Sequence, residues 1–260
     1  MTEKAALLAY TLRLADNALI LAQRMVEVVA AQPELEEELA NANLALDYLG
    51  QARMLYSHAG EIEAESNARI AANRRSEDDF AYLRDENEFR NLLLLELPNG
   101  HFGDALVRQY LFESFYVHQL RALLACDDEG LRNIAARALK EVEYHCRHSS
   151  RWLVRLGDGT PLSHERVQTA LNEQWAFTGE MFKADAIDDA MRDEFGGPDL
   201  DQIYTLWRRD IKATLREATL SIPADGWMAS GGKQGRHSEH FGFLLAEMQY
   251  LQRSHPGATW

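Results

Sequence analysis

Apolar residues recur along this 260-residue chain at steps of three and four, the spacing that places side chains on one face of an α-helix. No alternation of β-branched residues interrupts the pattern. The spacing therefore predicts an all-α chain with four long helices, one short helix between the second and third, and three helices near the C-terminus. The predicted ranges are about 5–30, 33–60, 102–126 and 131–157 for the long helices, 85–96 for the short one, and 163–182, 199–220 and 237–254 for the rest.

Two of the long helices carry stripes that we expect to face the interior. The stripe of the second helix continues into Arg53 and Tyr56 and begins with Leu35, Leu39, Ala42, Leu46 and Leu49. The stripe of the fourth helix runs through Leu131, Ala135, Ala138, Val142, His145, Ser149, Trp152 and Leu156. Residues 61–79 are polar and predict a loop or a weak helix, and Ser163 is the expected N-cap of the first C-terminal helix.

Two hairpins of long helices separated by one long crossover are typical of a ferritin-like four-helix bundle. We therefore predict that fold, with additional C-terminal helices. No linker demands a second domain, so residues 1–260 are interpreted as one domain. Its bundle core would span about 5–157 and its peripheral helices about 163–254.

Composition and charge narrow the classes of partner. The chain carries 41 acidic and 27 basic residues, a formal charge of −14, which argues against nucleic acid and anionic membranes as partners. No apolar run reaches the ~18 residues of a membrane span, and the first residues lack the core of a signal peptide. Two cysteines do not suggest a disulfide framework. We expect a cytoplasmic protein.

The centre of such a bundle often holds two iron ions. Two helices then supply one carboxylate each, and the other two supply a Glu-x-x-His pair each. No acidic residue in this chain has a histidine three positions later. The single carboxylates have counterparts in Asp16 and Glu113, whereas the paired positions read Asp47 with Gly50, and Val142 with His145. Valine and glycine side chains cannot bind a metal, so the sequence predicts a relic site without metal.

Buried carboxylates without iron need another source of positive charge. Arg53 continues the predicted inward stripe of the second helix, so we expect that Arg53, together with His145, supplies it. Replacing Arg53 with methionine should then destabilise the fold strongly.

Two other features have ordinary structural interpretations. The segment "HSEH" places His237 and His240 three residues apart, but it opens a helix after a glycine-rich loop, where polar residues are expected. Trp227 and Trp260 lie in a predicted loop and at the terminus, and they are candidate interface anchors.

Several long segments carry a family resemblance: "YTLRLADNALILAQR", "LANANLALDYLGQARMLYSHAGE", "RDENEFRNLLLLELPNGHFGD" and "GGKQGRHSEHFGFLLAEMQYLQR". Together they make nearly the whole chain similar to the C subunits of bacterial multicomponent ring 1,2-phenylacetyl-CoA epoxidases. The resemblance implies a ferritin-like subunit that has lost its metal and pairs with a catalytic A subunit. That A subunit would hold the di-iron centre and the acyl-CoA, and a separate reductase would deliver electrons from NADPH.

The expected function is therefore that of a non-catalytic structural subunit in aerobic phenylacetate degradation, with no cofactor of its own. Self-association of the isolated chain is left open. Two alternatives also remain: a di-iron carboxylate oxygenase in its own right, with an irregular ligand set, and a stand-alone ferritin-like binding protein.

Overall fold

A computed structural model describes residues 2–66 and 74–258, and these residues form α-helices and short 3-10 turns with no β-strand among them. The α-helices of the described part are α1 (Glu3–Val26), α2 (Leu35–Ser66), α3 (Glu77–Tyr82), α4 (Phe102–Leu123), α5 (Glu129–Gly157), α6 (Pro161–Gln174), α7 (Ala186–Phe195), α8 (Leu200–Glu217) and α9 (Phe241–Ser254).

The four long helices α1, α2, α4 and α5 pair as two antiparallel hairpins. Lys4 of α1 reaches Glu65 near the end of α2, whereas Asn41 near its start reaches the carbonyl of Met25. In the second hairpin, Glu113 of α4 contacts Ser149 of α5, whereas Arg121, further along α4, contacts the earlier residue Glu143. A long crossover that contains α3 and two 3-10 turns, Glu86–Glu88 and Leu93–Glu96, joins the hairpins. The prediction of an all-α four-helix bundle with a long crossover is confirmed.

The C-terminal helices form a layer over one side of this bundle. Helices α6 and α8 pack against α4, α7 packs against α1, and α9 contacts α3. One connected cluster of buried apolar side chains runs from Leu7 on α1 to Leu245 on α9. This continuity favours the interpretation of residues 1–260 as one domain, which stays a prediction.

Helix α1 is the one described helix that is long and apolar enough to cross a membrane. In this fold, 78% of its apolar window is buried among the other helices. A core helix of a soluble protein meets the same test of length and hydropathy, so the composition of α1 is explained by its central place in the bundle.

Several predicted boundaries were wrong. Helix α2 continues to Ser66 into the stretch expected to be a loop, and residues 67–73 of that stretch lie outside the described residues. The short helix expected at 85–96 is a pair of 3-10 turns. Thr160, not Ser163, caps α6: its hydroxyl accepts a hydrogen bond from the Ser163 amide, and Pro161 occupies the first helical turn.

Of the two tryptophans considered as interface anchors, Trp227 is exposed, and Trp260 lies outside the described residues.

The predicted inward stripe of α2 was wrong in register. Leu35, Leu39 and Leu46 are 65%, 59% and 63% exposed, so they line the outer face of the bundle. Of the predicted stripe, Tyr56 is buried as expected. The other residues of the buried face are Leu44, Ala45, Tyr48, Gln51, Ala52, Leu55 and Ala59. Because leucines lie on both faces, periodicity of hydrophobic residues alone selected the wrong one.

The stripe of α5 was right over most of its length. Its positions from Leu131 to Ser149 are buried, including Val142 and His145. Only near the end of the helix does the register drift, where Leu153 is buried and Trp152 is half-buried. The other face of α5 is polar, so its amphipathic pattern leaves one choice.

Candidate functional site

Glu113 lies at the middle of α4 and is fully buried. Three neutral groups donate hydrogen bonds to its carboxyl group: the hydroxyl of Tyr48 to Oε1 at 3.1 Å, the amide of Gln109 to Oε1 at 2.8 Å, and the hydroxyl of Ser149 to Oε2 at 2.6 Å. Burial raises the pKa of Glu113 to about 7, although these donors act in the opposite direction. Glu113 is therefore satisfied without a cation.

Asp16 on α1 is also fully buried, but its carboxylate has a cationic partner. The guanidinium of Arg84, from the crossover after α3, forms a two-nitrogen ion pair with it. The hydroxyl of Tyr56 donates to Asp16 Oδ1 at 2.5 Å, and the backbone amide of Arg90 donates to Oδ2 at 2.8 Å. Arg84 is held in turn over the ring of Phe89, 4.1 Å from its centre.

His145 is buried on α5 and pairs with the predicted relic position Asp47. Its Nε2 lies 3.0 Å from Asp47 Oδ2, and its ring packs 5.0 Å from that of Tyr48. Burial lowers the pKa of His145 below its usual value, although Asp47 acts in the opposite direction. This shift favours the neutral imidazole, which argues against the expectation that His145 supplies positive charge to the bundle centre.

Val142 and Gly50, the positions expected to have lost their ligands, have different surroundings. Val142 is fully buried in the core, as predicted. Gly50 is exposed and faces open space, and the Asp47 side chain is 44% exposed. The expectation that Asp47 and Gly50 form the inward pair of α2 was therefore wrong. Tyr48 and Gln51, each one residue further along, are the pair that faces the interior.

The role expected for Arg53 was also wrong. Its side chain is 76% exposed and pairs with Glu77 of α3 at the surface, 3.1 Å from Nε to Oε1. The register error on α2 explains this, because Arg53 shares the outward face with Leu39 and Leu46. The cation next to Asp16 is Arg84.

The side chains present at the bundle centre do not fit a pair of iron ions. Glu113 is bound by hydroxyl and amide donors, Asp16 is bound by an arginine, and Val142 offers no donor atom. Over residues 2–66 and 74–258, no group of three or more His, Cys, Asp and Glu side chains is arranged to hold a metal ion.

The histidines of "HSEH" have structural roles. The side chain of His237 is buried, with Nδ1 2.5 Å from Glu96 Oε1 and Nε2 3.1 Å from the carbonyl oxygen of Phe89. His240 lies at the start of α9, and its carbonyl accepts a long hydrogen bond from Arg24. These contacts attach the C-terminal loop to the crossover and to α1. Because both ring nitrogens of His237 are engaged, this segment offers no pair of imidazoles free to share a metal. Both cysteines are free thiols.

Sequence comparison then places the chain among known proteins. The sequence profile described as "Phenylacetic acid catabolic protein" matches residues 1–260. The chain belongs to this family. A relative from Escherichia coli (strain K12), named as the C subunit of 1,2-phenylacetyl-CoA epoxidase, is 46% identical over 254 residues, which are 98% of this chain and 99% of the relative.

A solved structure resembles this member of the phenylacetic acid catabolic protein family in fold alone. It is titled "Protein 19 with aldehyde deformylating oxidase activity from Synechococcus" and has a TM-score of 0.58 at 18% identity. The match covers 85% of this chain and 95% of the other. At this identity the likeness supports the ferritin-like bundle and says nothing of the reaction.

Proposed function

We propose that this chain is the non-catalytic structural subunit of a 1,2-phenylacetyl-CoA epoxidase complex in aerobic phenylacetate degradation. One observation carries the proposal: the two buried carboxyl groups at the bundle centre, Asp16 and Glu113, are bound by an arginine and by tyrosine, glutamine and serine side chains. A bundle filled in this way keeps its long helical faces for packing against another subunit and has no place for iron.

Under this proposal the chemistry belongs to a partner. A catalytic A subunit would hold the di-iron centre and the acyl-CoA, and a reductase subunit would bring electrons from NADPH. This chain would contribute no cofactor and would reside with its partners in the cytoplasm. The 46% identity to a relative named as the C subunit of the epoxidase supports this assignment.

The test is to produce the chain alone and together with the catalytic subunit encoded in the same genome. We expect the two subunits to elute together from a sizing column, with about two irons per catalytic subunit, as in carboxylate-bridged pairs. The chain alone should retain no iron after reconstitution with ferrous iron and desalting. Its addition should raise the phenylacetyl-CoA-dependent NADPH consumption of the catalytic subunit and reductase.

Two outcomes would overturn the proposal. About two irons in the isolated chain, with turnover by that chain, would make it an oxygenase in its own right. Elution of the two subunits as separate species over a range of concentrations, with no effect on turnover, would leave it a stand-alone bundle.

A further inference from the structure

A small, partly enclosed cavity of about 20 Å³ lies where the bundle meets the C-terminal layer. Helices α1 and α4 form one side of it, and the crossover and the C-terminal segments form the other. The polar side chains around it are Tyr10, Arg13, Asn17, Arg90, Gln119, Asp188 and Lys233. The volume exceeds the ~10–15 Å³ that one water molecule requires.

Two of these lining residues each have one buried polar atom without a hydrogen-bond partner within the part of the chain that the structure describes. These atoms are Nε of Arg13 and Oε1 of Gln119. The other polar atoms of both side chains are engaged: the terminal nitrogens of Arg13 bind Asp185 and Asp188, and Nε2 of Gln119 donates to the hydroxyl of Tyr10 at 3.0 Å. A buried donor or acceptor left unpaired costs about 1–3 kcal/mol.

The Tyr10 hydroxyl adds a second donor. Its oxygen accepts from Gln119, so its own proton has to point elsewhere. Burial raises the pKa of Tyr10, so the phenol keeps that proton at neutral pH. The lining thus combines two donors, Arg13 Nε–H and Tyr10 O–H, with one acceptor, Gln119 Oε1.

We propose that this cavity is a binding site for one water molecule, which accepts hydrogen bonds from Arg13 and Tyr10 and donates one to Gln119. Water fits this volume and both accepts and donates hydrogen bonds, and three bonds are typical of buried waters. Such a water links α1 to α4, two helices that approach each other here through long side chains. It would thereby join the polar side chains of α1 and α4 beneath the C-terminal layer.

The amide of Gln119 offers a rival arrangement. If its oxygen and nitrogen were exchanged, Oε1 would accept from Tyr10 and the NH₂ group would face the cavity. The amide donors of Gln119, together with the cations Arg13, Arg90 and Lys233, would then suit a halide ion. The Asp188 carboxylate in the same lining opposes an anion, which is why we favour water.

The experiment is a crystal structure of the wild-type chain at a resolution that shows ordered water, with a second crystal soaked in bromide. We expect a density peak about 2.7–3.2 Å from Arg13 Nε and from Gln119 Oε1, without a bromide signal. An anomalous bromide peak would show that the cavity binds an anion instead of water, and it would overturn the proposal. A cavity without density at that resolution would overturn the proposal as well.

A solution measurement gives an independent readout. In oxygen-17 relaxation dispersion, which counts long-lived internal waters, Gln119→Leu should lose one water per chain relative to wild type. Gln202→Leu, an exposed change on α8, is the matched control and should lose none. An unchanged count in a folded Gln119→Leu variant would contradict the site, and the crystallographic test on wild type applies even if that variant fails to fold.

Discussion

Asp16 and Glu113, the two single carboxylates of the predicted relic site, are both fully buried, yet the fold accommodates them in opposite ways. Asp16 remains next to a fixed cation, Arg84, with one hydroxyl and one amide completing its contacts. Glu113 has three neutral donors and no cation, and its pKa rises to about 7. Without metal, a bundle can therefore retain a carboxyl group either by pairing its charge or by favouring its neutral form.

The difference follows from what each carboxyl group can reach. Asp16 lies beneath the crossover, which contributes both Arg84 and the backbone amide of Arg90. The contacts of Glu113 come from the long helices α2, α4 and α5, at positions occupied by Tyr48, Gln109 and Ser149. The crossover thus supplies a cation to Asp16 and none to Glu113.

The largest effect should come from Arg84→Met, which leaves the Asp16 carboxylate buried without its cation. Removal of one partner of a buried ion pair typically costs about 3–5 kcal/mol. We expect a loss of that size in the free energy of unfolding, measured with urea at pH 7. Adding Asp16→Asn to this variant should recover part of the loss, since no charge is then left unpaired. A loss below about 1 kcal/mol would show that Asp16 is not maintained by Arg84.

The second prediction concerns Glu113 and pH. Because the folded state binds the Glu113 proton more tightly than the unfolded state, this contribution to stability is complete below pH 4.5, falls as the pH rises to about 7, and stays absent above it. The change amounts to about 3 kcal/mol. Glu113→Gln should remove this dependence of the free energy of unfolding on pH, and it should be more stable than wild type at pH 8. Urea unfolding from pH 5 to pH 8 measures it, and parallel profiles of the two proteins would contradict the assignment.

A smaller effect distinguishes the two tyrosines. Tyr48→Phe removes a donor to Glu113, so its cost should grow from about 1 kcal/mol at pH 5, where the acceptor is neutral, to about 2 kcal/mol at pH 8, where it is charged. Tyr56→Phe removes a donor to the Asp16–Arg84 pair, and its cost should be the same at both pH values. Equal pH dependence of the two variants, in urea unfolding, would mean that the two carboxyl groups do not differ as described.

The smallest effect should come from Arg53→Met. An exposed ion pair contributes about 0–1 kcal/mol, so we expect a change within about 0.5 kcal/mol at pH 7. Since Arg84→Met carries the same substitution at a buried site, the two variants form a matched pair in one urea experiment. A large loss for Arg53→Met would mean that Arg53, on the second helix, does supply the positive charge at the bundle centre.

The sequence predicted the class of fold and one side of the site. Helix α5 has one apolar face, so Val142 and His145 were placed correctly, and Asp16 and Glu113 were correctly expected to be buried. The same reasoning gave the wrong buried face for helix α2. Its three exposed leucines have the spacing of a core stripe, whereas the face that is buried includes Tyr48 and Gln51. Arg84 could not be found from periodicity, because it lies in an irregular crossover whose path depends on tertiary contacts.

The contact between Arg84 and Asp16 joins residues 68 positions apart, and it bears on the order of events during synthesis. Helix α2 ends at Ser66, 18 residues before Arg84, so the first hairpin is complete in sequence before its cation exists. While the chain emerges N-terminus first, the Asp16 carboxylate on the face of α1 that packs against α2 therefore has no cationic partner. We therefore expect the first hairpin to be destabilised, with Asp16 buried and unpaired, until the crossover supplies Arg84.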